Sequence, residues 1–138
     1  MDLDRLRAVY KTDALISLVE ESELGHLQIP DLVKEASLRN IAVYRSPIID
    51  GSIPTITQAN HIAQFAVTLS RAGQNVVFHC KGGLGRAGTL CAISLLHLGY
   101  NPQQAIDWVR QQRPGAIENH TQEGFIHSYF QQLNPTQP

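Results

Sequence analysis

The residue types that could carry out chemistry are concentrated in one stretch, which reads His79-Cys80-Lys81-Gly82-Gly83-Leu84-Gly85-Arg86. Glycine allows a backbone to curl until successive N–H groups point at one place, which makes a cradle for an anion. An arginine can donate two parallel hydrogen bonds to phosphate oxygens, whereas lysine cannot. A cysteine beside an arginine and a helix N-terminus favours its thiolate, the nucleophilic form. We therefore expect Cys80 to attack a phosphate that Arg86 binds.

We call residues 80–86 the phosphate loop. The residues between its cysteine and arginine are expected to bind phosphate through their backbone: Lys81, Gly82, Gly83, Leu84 and Gly85. The glycine spacing matches neither the Gly-x4-Gly-Lys-Ser/Thr nucleotide motif nor the dinucleotide motif Gly-x-Gly-x-x-Gly with its acidic partner. The alternative is an ordinary glycine turn with a buried cysteine, but such a turn does not require both Cys80 and Arg86.

Short apolar runs alternate with amphipathic patterns, which predicts parallel strands joined by helices. The predicted strands are residues 13–19, 41–45 and 75–79. The predicted helices are residues 2–10, 30–38, 57–71, 87–98, 103–112 and 121–133, with a short turn at 20–24 and Thr57 as the N-cap of the third helix. We therefore expect a three-layer α/β domain with a mostly parallel central sheet flanked by helices.

Composition predicts a single domain over residues 1–138 that ends in a polar tail over about residues 131–138. The formal net charge of -1 and the lack of a basic stripe argue against a nucleic-acid partner. The chain has no apolar run typical of a signal peptide or a membrane span, so we expect a cytoplasmic protein without a membrane partner. Cys80 and Cys91 are then expected to be reduced thiols.

The phosphate loop resembles the signature of the protein tyrosine and dual-specificity phosphatases, which is His-Cys, five residues and Arg. Three further segments are similar to the compact kinase-associated-phosphatase-like branch and occur in the same order: ISLVEE at 16–21, PIIDG at 47–51 and RPGAIE at 113–118. The resemblance covers about residues 13–130. It implies a dual-specificity-phosphatase-like fold and cofactor-free hydrolysis of phosphorylated proteins or peptides through a phosphocysteine, with phosphate or other oxyanions as ligands.

The resemblance also implies roles for residues outside the loop. Asp50 matches the aspartate that protonates the leaving group and then activates water. Gln122 matches a glutamine that orients this water, and His79 is expected to support the loop through hydrogen bonds. Without the resemblance, Asp50 would predict only an Asp-Gly turn, Gln122 a solvated polar residue and His79 a buried structural histidine.

One position departs from the family pattern. The hydroxyl residue that normally follows the arginine is Ala87 here, so the hydrogen bond that stabilises the departing thiolate is missing, and the second chemical step is expected to be slow. Thr89 either turns its hydroxyl toward the sulfur in partial compensation or stays within its helix.

Other functions remain open on the residues alone. Ala87 motivates a phosphate-binding module with little turnover, and the loop would also suit sulfur transfer or arsenate reduction; Asp50 argues for phosphoryl chemistry. Lys81 also occurs in lipid phosphatases, but Leu84 stands where they typically have a second lysine. Cys91 lies in an apolar helix and is expected to be buried and inert, with a disulfide to Cys80 as the weaker alternative. The histidines have no metal-ligand spacing, so no metal is expected.

Overall fold

One or two helices separate successive strands, and further helices follow the last strand, in a computed structural model that describes residues 2–27, 29–82 and 84–134. Gly83 of the phosphate loop and residues 135–138 of the predicted tail lie outside the described residues. The elements are α1 (Leu3–Ala8), β1 (Ala14–Ser17), α2 (Glu21–His26), α3 (Leu32–Ser37), β2 (Ala42–Arg45), α4 (Ile56–Arg71), β3 (Val76–His79), α5 (Arg86–His97), α6 (Pro102–Gln112) and α7 (His120–Leu133).

The three strands form one parallel sheet in the order β2-β1-β3. Every residue of the central strand β1 is buried, with exposed fractions of at most 1%. Because successive side chains of a strand point to opposite faces, both faces of the sheet must be covered. The predicted three-layer α/β fold with a parallel sheet is therefore confirmed.

Element ends differ from the sequence prediction where capping decides them. Thr55, not Thr57, caps α4, because Thr55 is extended and its side chain accepts a hydrogen bond from the N–H of Gln58. Thr57 is already helical. Helix α7 continues to Leu133, so the first residues of the predicted tail belong to it. None of the helices in the described part of the chain is both long enough and apolar enough to cross a bilayer.

The parallel sheet brings three loops to one edge. In a parallel sheet all carboxyl ends lie on the same side, and the segments that follow β1, β2 and β3 therefore leave the sheet there. These segments lead to Glu23, to Asp50 and to the phosphate loop. Helix α5 follows the loop directly, is mostly buried and packs against α4, α6 and α7. The candidate site is thus anchored to the core of the domain.

Candidate active site

Cys80 lies between the end of β3 and the start of α5. Its side chain is buried, and its Sγ accepts a hydrogen bond from the backbone N–H of Ala87 at 3.3 Å. Ala87 is in the first turn of α5, where the N–H groups have no partner within the helix and the helix dipole is positive. The sulfur thus lies at the N-terminal end of α5 and contacts a backbone donor of that helix.

Arg86 is the first residue of α5, and only 1% of it is exposed. Its Nη1 donates to the carbonyl of Ile48 and to Glu23 Oε2, both at 2.8 Å, and its Nη2 donates to Glu23 Oε1 at 2.8 Å. Its Nε is buried without a hydrogen-bond partner among the described residues. A buried N–H without a partner is costly, so this group is a ready donor for an anion.

Glu23 holds the arginine, and sequence reasoning does not identify it. Its Oε2 also accepts a hydrogen bond from the backbone N–H of Glu20 at 2.8 Å, which fixes the carboxylate at the start of α2. The hydrogen bonds from Arg86 are the main reason that the pKa of Glu23 falls from 4.5 to about 2. Glu20 and Glu23 form a capping box in the structure, but a glutamate at the N-cap is not the usual sequence signature, and nothing local reveals a partner far along the chain.

Glu23→Gln is expected to destabilise the protein in a pH-dependent way. The folded-state pKa of Glu23 is about 2 against 4.5 as its ordinary value, so its stabilisation is complete above about pH 4.5 and is lost as the pH falls toward 2. The difference in free energy of unfolding between wild type and variant should be on the order of 3 kcal/mol at pH 7 and should shrink below pH 4.5. Urea titrations at pH 7, 4.5 and 3 measure it.

The matched control for this prediction is Glu35→Gln, which removes a carboxylate that pairs with Arg39 on the surface. An exposed pair contributes at most about 1 kcal/mol, so this variant should stay close to wild type at every pH. A Glu23→Gln difference that does not change between pH 7 and 3 would contradict the assignment of the ion pair.

His79 makes its hydrogen bond inside the sheet. Its Nδ1 lies 3.0 Å from Ser17 Oγ, the residue paired with it on β1, and both residues are buried. Burial is the main cause that lowers the pKa of His79 to about 4. The imidazole is therefore neutral near pH 7, a state that suits a supporting role. Ser17 is a second contributor that the sequence pattern does not single out.

Asp50 is presented by a tight turn. The N–H of Ser52 donates to the carbonyl of Ile49 at 2.9 Å, and Gly51 has a φ of +78°, a conformation that favours glycine. Asp50 Oδ1 lies 3.4 Å from Nη2 of Arg86, while 59% of the aspartate side chain remains exposed. The turn therefore brings a carboxylate from the loop after β2 to the arginine of the phosphate loop and leaves it open to solvent.

Gln122 is fully buried rather than solvated. Its Oε1 accepts a hydrogen bond from the N–H of Glu118 at 2.9 Å, and its Nε2 donates to the carbonyl of Ser52 at 3.4 Å. A Cβ atom added at Gly85 would lie only 3.0 Å from this Nε2. Gln122 thus lies between the phosphate loop and the turn that carries Asp50, and glycine at position 85 allows that close approach.

The turn after α6 holds the phosphate loop from outside. Arg113 Nη2 donates to the carbonyl of Gly82 at 2.7 Å, and the N–H of Ile117 donates to the carbonyl of Leu84 at 2.8 Å. Because a trans peptide keeps its N–H opposite its C=O, the second bond directs the N–H of Gly85 away from Ile117. Ile117 has a φ of +60°, which is strained for a β-branched residue, and therefore needs support from its surroundings.

The remaining predicted residues lie around this centre. Thr89 donates to the carbonyl of Gly85 at 2.7 Å, so its hydroxyl stays within the helix and is not directed at the sulfur. Lys81 is exposed at the edge of the loop. Cys91 is half-buried rather than fully buried as expected, and desolvation raises its pKa to about 11, so its thiol stays protonated. Geometry thus brings Cys80 and Arg86 together with Asp50 and Gln122, and it adds Glu23, which the sequence does not indicate.

Comparisons with known proteins agree with this geometry. The family model for the phosphatase domain called "Swiss Army Knife protein, DSP-PTPase phosphatase domain" matches residues 5–126. Cyclin-dependent kinase inhibitor 3 of Rattus norvegicus is 33% identical over 114 residues, which cover 80% of this chain and 54% of that protein. The chain therefore spans about half the length of this curated relative.

Two solved structures share the fold closely. A kinase associated phosphatase, solved with its catalytic-site cysteine replaced by serine, superposes with a TM-score of 0.89 at 28% identity and covers 96% of this chain and 76% of its own. Tk-PTP in its active form gives a TM-score of 0.82 at 32% identity, with 94% of this chain and 86% of that one covered. The chain therefore belongs to the DSP-PTPase phosphatase domain family of Swiss Army Knife proteins, within the kinase-associated-phosphatase-like branch.

Proposed function

We propose that this chain hydrolyses phosphoric monoesters of proteins or peptides through a covalent phosphocysteine. The observation that carries the proposal is the buried Nε of Arg86, which lacks a partner among the described residues and belongs to the same loop as the Cys80 thiol. An anion bound there would accept a hydrogen bond from Nε, and we expect backbone N–H groups of the loop to donate to it as well. Glu23 holds the other two guanidinium nitrogens and so sets the orientation of the arginine.

In the first step the thiolate of Cys80 attacks phosphorus. The S–P bond forms while the bond from phosphorus to the ester oxygen breaks, and the electron pair leaves with that oxygen. The protonated carboxyl of Asp50 gives its proton to the leaving oxygen, so the product departs as an alcohol or phenol. Arg86 stabilises the charge on the transferring phosphoryl oxygens, where preorganised donors have their largest effect.

In the second step water releases the phosphate. The carboxylate of Asp50 accepts a proton from a water molecule whose oxygen attacks phosphorus, and the S–P bond breaks to regenerate the thiolate and inorganic phosphate. Gln122, buried between the Asp50 turn and Gly85, is proposed to orient this water. The backbone N–H of Ala87 is the helix donor proposed to stabilise the departing thiolate.

The proposed substrates are proteins or peptides that carry phosphotyrosine, and also phosphoserine or phosphothreonine. The family description and the similarity to a kinase associated phosphatase support this class. The exposed position of Asp50 supports a permissive entrance, since a deep pocket would enclose it. We further propose that the reaction takes place in the cytoplasm, where reducing conditions keep the two free cysteines in the thiol form.

Phosphate release and a trapped intermediate test the reaction. Wild-type protein should hydrolyse an aryl phosphate in the presence of a metal chelator, and acid quench on the millisecond scale should trap phosphate bound to Cys80. Mass spectrometry of the quenched peptide identifies the site. If folded wild-type protein binds phosphate but neither releases product nor forms a phosphoenzyme, the phosphate-binding module becomes the better description.

Ala87→Ser is expected to accelerate the second step. A serine hydroxyl at this position would be next to the N–H that already contacts the sulfur and would add a charge-assisted hydrogen bond to the departing thiolate. Such a bond corresponds to about a tenfold increase in the rate of phosphoenzyme breakdown. Wild type should show a burst of aryl product in stopped flow, and the variant should show a smaller burst and a higher steady-state rate. A burst of unchanged size and rate in the variant would contradict this reading of Ala87.

A further inference from the structure

The turn that carries Asp50 is tied to the start of α7 by one side chain. Asn119 Nδ2 donates to the carbonyl of Gly51 at 3.0 Å. The other end of the same amide, Oδ1, accepts the N–H of Gln122 at 2.9 Å and caps α7. A helix cap needs only the acceptor, so the donor of Asn119 is free for a second task, and it is directed at the Asp50 turn.

The bond to Gly51 completes the fixation of one peptide unit. The N–H of Ser52 points into the turn, where the carbonyl of Ile49 accepts it. The carbonyl of Gly51 belongs to the same trans peptide and therefore points outward, toward Asn119. Both the C=O and the N–H of the Gly51–Ser52 peptide group are thus hydrogen-bonded. Gln122 adds a longer hydrogen bond of 3.4 Å to the carbonyl of Ser52.

The anchor for this bond is rigid. Helix α7 buries Phe125, Ile126 and Tyr129 in the core, and Gln122 in its first turn is fully buried as well. The Asp50 turn, by contrast, is exposed and makes a 3.4 Å side-chain contact with Arg86. Exposed active-site loops often move between open and closed arrangements, and a bond to a fixed element favours one of them.

We propose that Asn119 is a positioning residue that keeps the Asp50 turn in the arrangement from which the carboxyl delivers its proton. This inference rests on the proposed function and names a residue that acts through Asp50 without contacting the substrate. Without this hydrogen bond, the turn spends less time in the arrangement that places Asp50 beside Arg86. The proton transfer from Asp50 to the leaving group therefore slows. The second step also uses Asp50, as the base that activates water, so the test relies on kcat/KM, which reports only the steps up to phosphorylation of Cys80.

The dependence on leaving group tests the proposal. Asn119→Ser keeps a good helix cap but is too short to reach Gly51, and Asn119→Asp keeps the size and the cap while replacing the donor by an acceptor. Both variants should lose roughly five- to tenfold in kcat/KM on phenyl phosphate, the effect of one neutral hydrogen bond. On dinitrophenyl phosphate, whose leaving group needs no proton, the loss should stay within about twofold.

Asn101→Ser is the matched control, because Asn101 caps α6 in the same way through the N–H of Gln104. It should leave the ratio of the two substrates unchanged. Equal losses on both substrates in the Asn119 variants, or no loss on phenyl phosphate, would overturn the positioning role while leaving the proposed function intact.

If the wild-type protein showed no turnover, the proposed function would be wrong. Hydrogen exchange would then test separately whether Asn119 holds the Asp50 turn. The amide of Ser52 should exchange faster in Asn119→Ser than in wild type or in Asn101→Ser. Identical exchange in all three proteins would overturn the inference.

Discussion

Cys80→Ser is expected to abolish turnover of aryl phosphates and to leave the binding of inorganic phosphate in place. A serine hydroxyl is not ionised near neutral pH, so the nucleophile is lost although the loop and its donors remain. The fall in kcat should be at least about a thousandfold. Phosphate release measures the loss of turnover, and isothermal titration calorimetry with inorganic phosphate checks that the phosphate loop still binds its ligand.

Cys91→Ser provides the matched control for this substitution. Burial raises the pKa of the Cys91 thiol to about 11, so this cysteine is not a nucleophile near pH 7, and its replacement should leave kcat within about twofold. If Cys80→Ser kept its activity, or if Cys91→Ser lost as much as Cys80→Ser, the assignment of the nucleophile would be wrong.

Arg86→Lys is expected to cause the second largest loss of phosphatase activity, after Cys80→Ser. Lysine keeps the charge but presents a single ammonium group, which can neither form the two parallel bonds to Glu23 nor supply the buried Nε donor that is proposed to bind the phosphate. We expect kcat/KM to fall about a hundred- to a thousandfold and phosphate affinity to weaken as well, because both the bound anion and the transition state lose preorganised donors.

Arg71→Lys, an exposed change at the end of α4, is the control for general effects of the substitution and should match wild type. Circular dichroism must also show that Arg86→Lys is folded, because the substitution removes the two parallel hydrogen bonds between Arg86 and Glu23. A folded Arg86→Lys protein with wild-type kcat/KM would exclude the proposed role of the guanidinium.

Local patterns predict the elements well where a short stretch contains its own signal. The buried strand before the phosphate loop and the helix after it follow from apolar runs and glycines within a few residues. The cap of α4 was a missed local signal of this kind. Thr55 and Thr57 are both suitable residue types, but only Thr55 has a glutamine three residues later, Gln58, which is the capping-box spacing.

Cys80 and Arg86 could be predicted from the sequence because they belong to one continuous loop whose chemistry is readable from residue types and spacing. Asp50 could be predicted only through the family resemblance, since an Asp-Gly pair by itself predicts an ordinary turn. His79 was expected to form supporting hydrogen bonds, but its partner Ser17 becomes apparent only from the register of two parallel strands.

The sequence by itself thus determined the α/β class, the phosphate loop and the chemistry that its thiol and guanidinium favour, because these properties depend on neighbours along the chain. Only the tertiary structure decided that Glu23 orients Arg86 and that Asn119 holds the Asp50 turn. Hydrogen bonds between residues far apart in the chain depend on which loops meet at one edge of the sheet. That meeting follows from the packing of the whole domain and leaves no periodic signal in any one segment.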